Sequence, residues 1–399
     1  MNKTLILLII ALFLLPATPG RVSAQEAAPG KPIHQIGFDL RPYYLTPTSG
    51  FFKGDDFDRE PQRKALSAHL KYSFRFSKDS RLGQMYPHAY QGIGLSYNTF
   101  FNASEIGTPV ALYAFQGSRI ARLNSRLTLD YEWNFGASFG WKKYNEDSNP
   151  RNDVVGSKIN AYINLGFLLN YRINPQWHLT AGLDFTHYSN GNTNYPNSGV
   201  NPVGGRIGVI RTFGNGEEEE RHRKTTGSNL LPRFNYDVVL YGATRKKGYI
   251  SETETSLIPG SFGVIGLNIN PMYNFNKYFR AGASLDAQYD ESANIIPHRV
   301  PGTYDKNMKF YRPPFRERFA VGLSLRGELV MPIFSVNVGI GRNVICQGED
   351  TEVFYQILAL KASITRHVFL HVGYQLSKFK EPNNLMLGMG YRFFSGKRK

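Results

Sequence analysis

Alternation of apolar and polar side chains between Ser157 and Arg172 is the feature that most constrains the fold of this chain. Every second residue of this segment is isoleucine, alanine, leucine, phenylalanine or tyrosine, and the residues between them are mostly polar or small. Because successive side chains of a β-strand point to opposite faces, the segment predicts a strand with one apolar and one mostly polar face. Such a strand suits a barrel wall with lipid outside and a polar lumen inside.

About 16 segments between His34 and Phe394 repeat this pattern, which predicts an all-β fold, a transmembrane antiparallel β-barrel of about 12–16 strands. Aromatic residues make up 14% of the chain and 39 residues are glycine, a composition that fits such a barrel. A soluble β-sandwich array or propeller is the alternative. No blade-like repeat of about 40–50 residues is visible, which disfavours it.

The N-terminus predicts export from the cytoplasm. Lys3 precedes an apolar run from Leu5 to Leu15, and the small residues Ser23 and Ala24 follow a proline-containing stretch. This is the pattern of a secretory signal peptide over residues 1–24, since the apolar run is too short to span a membrane. We expect residues 25–399 to form a single β-barrel domain in the bacterial outer membrane. Beyond Ala24 no apolar run reaches about 18 residues, which excludes a helical membrane protein.

The charge and the scattered polar residues limit the partners. The chain carries a formal net charge of +16 and no nucleic-acid-binding motif. For an exported basic protein the natural polyanion is the phosphorylated glycolipid of the outer leaflet, although a solvated surface excess explains the charge equally well. The histidines lack metal-ligand spacing, the glycines from Gly260 to Gly266 lead into a strand rather than a helix, and Cys346 is the sole cysteine. We therefore expect no metal, no cofactor and no internal disulfide.

The connections between the segments indicate the orientation of the barrel. Long connections are expected outside the cell and short turns in the periplasm. Four long connections suit the outer side: Pro47–Arg63, Lys142–Gly156, Ser189–Val203 and Glu291–Glu317. The charged run Gly214–Leu231 falls on the periplasmic side. It indicates either a strand count that is wrong by one or a solvated insertion.

The densest polar cluster in the sequence lies between Leu179 and Gly208. Leu179, Ala181, Leu183 and Phe185 share one strand face, and two further steps of the same face reach His187 and Ser189. An imidazole and a hydroxyl are therefore expected on the outer wall at the membrane edge, where polar groups are costly unless they serve a function. Histidine beside serine is the minimal activated nucleophile, although a histidine at a strand end is also common in barrels.

Several motifs around this strand resemble the outer-membrane lipid A 3-O-deacylase family, also called acyloxyacyl hydrolases. They are His187-Tyr188-Ser189-Asn190, the later Pro196-Asn197-x-Gly199, the run from Tyr131 to Trp141, and the asparagine-rich strand from Gly156 to Asn164. The resemblance covers residues 109–213, in the family's longer Bacteroidetes-type form. It implies ester hydrolysis of lipid A by a serine, histidine and glutamate on the barrel exterior.

Carried over to this sequence, the resemblance implies that Ser189 is the nucleophile and His187 the general base. The family's acid aligns with Asn201, so a carboxamide stands where the family has a carboxylate. An asparagine can still accept the imidazole N–H through its carbonyl oxygen. Asp184, the nearest acid along the chain, is predicted to face the lumen.

The oxyanion hole that the resemblance implies consists of the Asn190 side-chain amide and a backbone N–H near Gly191 or Asn192. The predicted function is thus that of an outer-membrane esterase acting on lipid A. Two alternatives remain open: a phospholipase-type lipid esterase that uses the same pair, and a non-enzymatic porin or structural barrel.

Overall fold

The fold is described from a computed structural model, in which residues 31–213, 232–250, 255–298, 309–379 and 381–395 are described. The predicted signal peptide, residues 1–24, lies outside these residues. The described part of the chain is almost entirely β-structure. Its α-helices are α1 (Arg81–Met85) and α2 (Phe315–Arg318), and no described helix is long and apolar enough to cross a membrane.

The first half of the chain forms a closed antiparallel barrel in which each strand pairs with its sequence neighbour and β1 pairs with β8. Its strands are β1 (Ile33–Leu45), β2 (Lys64–Arg75), β3 (Ala89–Thr99), β4 (Gly107–Arg122), β5 (Leu127–Trp141), β6 (Ile159–Arg172), β7 (Trp177–Ser189) and β8 (Pro202–Phe213).

The second half forms another closed barrel and two short hairpins. Its barrel strands are β9 (Phe234–Arg245), β12 (Phe262–Asn274), β13 (Phe279–Asp290), β16 (Phe319–Val330), β17 (Phe334–Ile345), β18 (Phe354–Ser363), β19 (Val368–Ser377) and β20 (Glu381–Ser395). The hairpins pair β10 (Gly248–Ile250) with β11 (Thr255–Leu257), and β14 (Ile296–His298) with β15 (Lys309–Tyr311).

The antiparallel all-β fold is confirmed, but the expectation of one barrel over residues 25–399 is wrong. The barrel strands close as two rings of eight. The alternation within a strand predicts which of its faces meets lipid. It does not predict which two strands pair to close a barrel. The charged run Gly214–Leu231 lies outside the described residues and connects the end of β8 to the start of β9. The strand count before it was therefore correct.

The register of the first barrel follows from the cross-strand partners. The row of partners that begins at Ser189 circles the barrel and returns to β7 ten residues away, at Leu179. The row runs through Ala161, Ala137, Leu112, Leu95, Leu70, Phe38 and Val209. A row in the second barrel starts at Leu385 and returns at Ser395, the same offset. Such an offset corresponds to strands tilted by roughly 35–45° to the barrel axis.

The two ends of the barrels differ in their connections. At one end lie turns in which an asparagine side chain accepts hydrogen bonds from the backbone N–H groups two and three residues later, at Asn124, Asn174 and Asn276. All four long connections expected outside the cell lie at the other end. This second end is called the outer end below, because outer-membrane barrels place their long loops outside the cell.

Both lumens are filled with buried charged side chains. In the first barrel Arg41 Nη1 lies 2.8 Å from Asp184 Oδ2, and Lys71 Nζ lies 2.9 Å from Asp39 Oδ2. In the second, Lys361 Nζ lies 2.9 Å from an oxygen of Asp237. Eight strands leave an interior just wide enough for side chains, and the outward faces carry exposed leucine, isoleucine and aromatic residues. Lipid can therefore contact only the outer wall.

Candidate active site

His187 and Ser189 lie at the outer end of β7, on its outward face. The residues of β7 alternate between buried and more exposed positions, and Leu183 and Phe185 on the same face are exposed. The predicted outward placement is therefore confirmed, because the period of two continues to the last residue of the strand. His187 Nε2 lies 2.9 Å from Ser189 Oγ. Both residues are half-buried.

Asn201 meets the other side of the same imidazole ring. The chain returns from the loop after β7 and pairs with it, with hydrogen bonds of 2.9 and 3.0 Å between the backbones of Tyr188 and Val200. This pairing brings Asn201 Oδ1 to 2.6 Å from His187 Nδ1. With Nδ1 protonated, the ring donates to the carboxamide oxygen, and Nε2 is left to accept the Ser189 hydroxyl proton.

Asn201 is itself held by the loop after β1. The Thr46 backbone N–H and the Thr46 hydroxyl both donate to the backbone carbonyl oxygen of Asn201, at 3.2 and 2.8 Å. The Thr48 hydroxyl donates to the Gly199 carbonyl oxygen at 3.1 Å. The two threonines are far from the site in sequence, and no local sequence signal marks them.

Gly199 lies against the imidazole in a conformation that favours glycine. Its φ is +74°, and a Cβ added there would lie 3.3 Å from His187 Cε1 and 3.0 Å from the Tyr188 carbonyl oxygen. A side chain at this position would press on the ring. The positive φ and the closeness of the ring therefore explain why glycine suits the last position of the Pro196-Asn197-x-Gly199 motif.

The predicted oxyanion residues form the turn that follows Ser189. Asn190 is buried, and its side-chain Nδ2 has no hydrogen-bond partner among the described residues. The backbone N–H of Asn190 is already used, because it donates to Asn197 Oδ1 at 2.9 Å. Gly191 and Asn192 follow with φ of +60° and +61°. An unpaired amide donor on the residue that follows Ser189 is a group of the kind that could bind developing negative charge.

Asn197 is a site residue whose role sequence reasoning did not identify. Besides holding Asn190, it donates from Nδ2 to Asn192 Oδ1 at 3.1 Å. One carboxamide thus fixes both ends of the turn. The motif in which Asn197 lies was visible in the sequence, and its bonding was not.

Within the described part of the chain, no carboxylate is hydrogen-bonded to His187. Asp184 faces the lumen as predicted, where it pairs with Arg41. In the outer loops Asp56, Asp58 and Glu105 each offer an oxygen within 4.8 Å of the others, a set of hard ligands that could hold a cation. The sequence did not group these three, because they come from two separate connections.

Comparisons with known proteins match the two barrels separately. The lipid A 3-O-deacylase (PagL) family model matches residues 66–209, and the acyloxyacyl hydrolase C-terminal domain model matches residues 234–396. No curated protein matches the sequence.

Similar solved structures are outer-membrane barrels. Neisserial surface protein A is 11% identical with a TM-score of 0.32, over 45% of this chain and 97% of that chain. The siderophore receptor PirA from Pseudomonas aeruginosa is 10% identical with a TM-score of 0.23, over 92% and 82%. Omp33 from Acinetobacter baumannii is 8% identical with a TM-score of 0.16, over 91% and 99%. With one family model on each barrel, this chain belongs to the lipid A 3-O-deacylase and acyloxyacyl hydrolase family of the bacterial outer membrane.

Proposed function

We propose that the protein hydrolyses an ester-linked acyl chain of lipid A, with Ser189 as nucleophile, His187 as general base and Asn201 as the residue that orients the imidazole. Membership of the family supports a hydrolase that acts on lipid A. The observation that carries the finer assignment is the hydrogen-bonded chain from Asn201 Oδ1 through His187 to Ser189 Oγ on the outward face of β7.

The geometry supports a two-step ester hydrolysis. Ser189 Oγ attacks the ester carbonyl carbon while His187 Nε2 takes the hydroxyl proton, which forms a tetrahedral intermediate. The side-chain amide of Asn190 would donate to its oxyanion. Collapse of the intermediate breaks the bond to the lipid oxygen, which leaves as a hydroxyl with the proton from His187. Water then attacks the acyl-serine with the same base, and the products are the free fatty acid and the regenerated serine.

The wall beside Ser189 suits an acyl chain. The neighbours of Ser189 across β6 and β5 are Ala161 and Ala137, and Ile163 and Phe135 lie next to them on the inner side. Since the partner row from Ser189 returns to β7 at Leu179, nearer the inner end, it descends into the membrane. An acyl chain that follows the row would leave the ester at the rim and meet short side chains flanked by apolar ones.

The two alternatives make different demands on the structure. A porin needs an open lumen, whereas eight strands enclose only side chains and both lumens hold buried ion pairs. This observation disfavours a pore. A phospholipase-type esterase would use the same pair of residues, and the choice of lipid therefore has to be measured.

The test is mass spectrometry of lipid A after incubation with the purified protein in detergent, beside a panel of glycerophospholipids. We expect loss of one acyl chain from lipid A and no comparable release from the phospholipids. Ser189→Ala should abolish the reaction, and Ser198→Ala, an exposed serine in the same loop, is the matched control. Acyl release from phospholipids alone would support the phospholipase, and an active Ser189→Ala would refute the assigned nucleophile.

A further inference from the structure

The second barrel contacts the turn that follows Ser189. A Cβ added at Gly191 would lie 2.7 Å from both Cγ and Cδ2 of Leu385, so this β20 side chain fills the space beside the turn. The backbone N–H of Lys246, the first residue after β9, donates to the Asn192 carbonyl oxygen at 3.2 Å. Strand β20 and the residue that follows β9 therefore meet two consecutive residues of the turn.

The second barrel does not repeat the serine and histidine pair among its described side chains. Its seventh strand, β19, corresponds in order to β7 but ends in Gln375, Leu376 and Ser377, with glutamine where β7 has His187. His371 on this strand is buried in the lumen, and His367 lies in a turn at the inner end, where Nδ1 is 2.9 Å from the Arg392 carbonyl oxygen. The described part of this barrel thus offers no second site of the same kind, and its contact with the first barrel needs another explanation.

We propose that the second barrel positions the oxyanion turn of the first, through Leu385 and the Lys246 backbone. This inference rests on the proposed esterase function. Leu385 and Lys246 are positioning residues, because they touch Gly191 and Asn192 and not the reacting atoms. The proposed oxyanion donor is Asn190 in the same turn. The effect of the second barrel on catalysis is therefore exerted through the shape of one turn.

Contacts on two sides hold the backbone of the turn. Gly191 and Asn192 both have positive φ, a region that glycine adopts freely and that asparagine adopts more readily than most residues with a side chain. Within the first barrel, Asn197 holds one side of the turn. Leu385 and the Lys246 backbone contact the other side. The side-chain oxygen of Asn192 and its backbone carbonyl oxygen then each accept a hydrogen bond.

A pair of matched substitutions on one strand face tests the proposal. Leu385→Ala removes the contact with Gly191, and Met389→Ala removes a side chain of similar size on the same outward face of β20, farther from the turn. Complete loss of an oxyanion donor lowers kcat by about 10²–10³. We expect a partial effect for Leu385→Ala, about a tenfold fall in kcat with KM and the pH profile unchanged. Met389→Ala should match the wild type, and Leu385→Met should restore most of the rate.

A double substitution keeps the test independent of folding defects in one variant. Gly191→Ala should lower kcat, both because its φ is +60° and because the new Cβ overlaps Leu385. Adding Leu385→Ala removes the overlap, so the double variant should be more active than Gly191→Ala alone. The proposal would be overturned if the kcat losses of Gly191→Ala and Leu385→Ala simply multiplied in the double variant. Equal losses of kcat in Leu385→Ala and Met389→Ala would also overturn it.

The failure of this inference is distinguishable from the failure of the proposed function. If Ser189→Ala is inactive while Leu385→Ala retains the wild-type kcat, the esterase assignment stands and the positioning role is wrong. If Ser189→Ala is active, the assignment of Ser189 as the nucleophile is wrong, and the positioning inference loses the function on which it rests. The migration of unboiled samples on gels reports in each case whether the barrels are folded.

Discussion

Asn201 stands where the resemblance to the family implies a carboxylate, and replacing it tests whether it orients the imidazole of His187. Its Oδ1 lies 2.6 Å from His187 Nδ1, and both residues are half-buried. Among the described residues, no carboxylate is hydrogen-bonded to either side chain. A hydrogen bond to a group that becomes charged contributes about 1.5–3 kcal/mol. We therefore expect Asn201→Ala to lower kcat/KM by about 10- to 150-fold. Loss of Ser189 should cost far more, on the order of 10⁶-fold.

Asn201→Asp tests the missing charge, because aspartate has the same shape as asparagine. Opposite unit charges about 4 Å apart attract by about 1 kcal/mol in water and about 4 kcal/mol at an effective dielectric constant of 20. For a half-buried pair we expect a value near the lower end, about 1–2 kcal/mol, or a 5- to 30-fold gain in kcat/KM. Because a carboxylate favours the protonated imidazole, the acid limb of the pH–rate profile should move to higher pH.

The assay is the initial rate of fatty acid release from lipid A micelles at several pH values between about 5 and 9. Asn201→Ala, Asn201→Asp and the wild type are compared at equal amounts of folded barrel. If Asn201→Ala equals the wild type at every pH while Ser189→Ala is inactive, the orienting role is refuted. The third member of the site would then have to be sought elsewhere.

Three further predictions concern the same site. Ser189→Ala and His187→Ala should each abolish ester cleavage without loss of membrane insertion, and the double variant should be no worse than either, as rate measurements on inserted protein will show. Gly199→Ala should lower kcat at least tenfold by pressing on the imidazole, whereas Gly205→Ala, whose added Cβ comes no nearer than 3.7 Å to another atom, should be neutral in the same assay. Thr46→Val should lower kcat less than tenfold, because its backbone N–H still donates after the hydroxyl bond of about 1 kcal/mol is lost; an unchanged rate would show that this bond does not position the carboxamide.

The outward position of His187 and Ser189 could be predicted because strand periodicity is local. One residue of register decides which face a side chain takes, and the apolar residues from Leu179 to Phe185 mark that face in the sequence. The approach of Asn201 to the ring was implied only by resemblance to the family. No periodic pattern connects Asn201 with His187, since a loop of irregular conformation lies between them.

The division into two barrels could not be predicted from the same alternation. A strand pattern is satisfied by any partner of opposite direction, and β1 pairs with β8 over a long separation in sequence. The contacts of Thr46 with Asn201 and of Leu385 with Gly191 are equally long-range. Pairwise contacts of this kind depend on the closed ring and on the neighbouring ring, and a single sequence carries no periodic signal for either.

The filled lumens favour the proposed placement of a lipid site on the outer wall. A barrel of eight strands has no interior space for an acyl chain, and buried carboxylates such as Asp184 occupy that space with their cationic partners. Breaking such a pair leaves a buried charge and costs about 3–5 kcal/mol, so the lumen stabilises the ring and is poorly suited to change during catalysis. The outer wall of a barrel in the outer membrane is already in contact with acyl chains. In the proposed site, β7 supplies the base His187, and the loop after β7 would supply the orienting Asn201 and the oxyanion donors without opening the barrel.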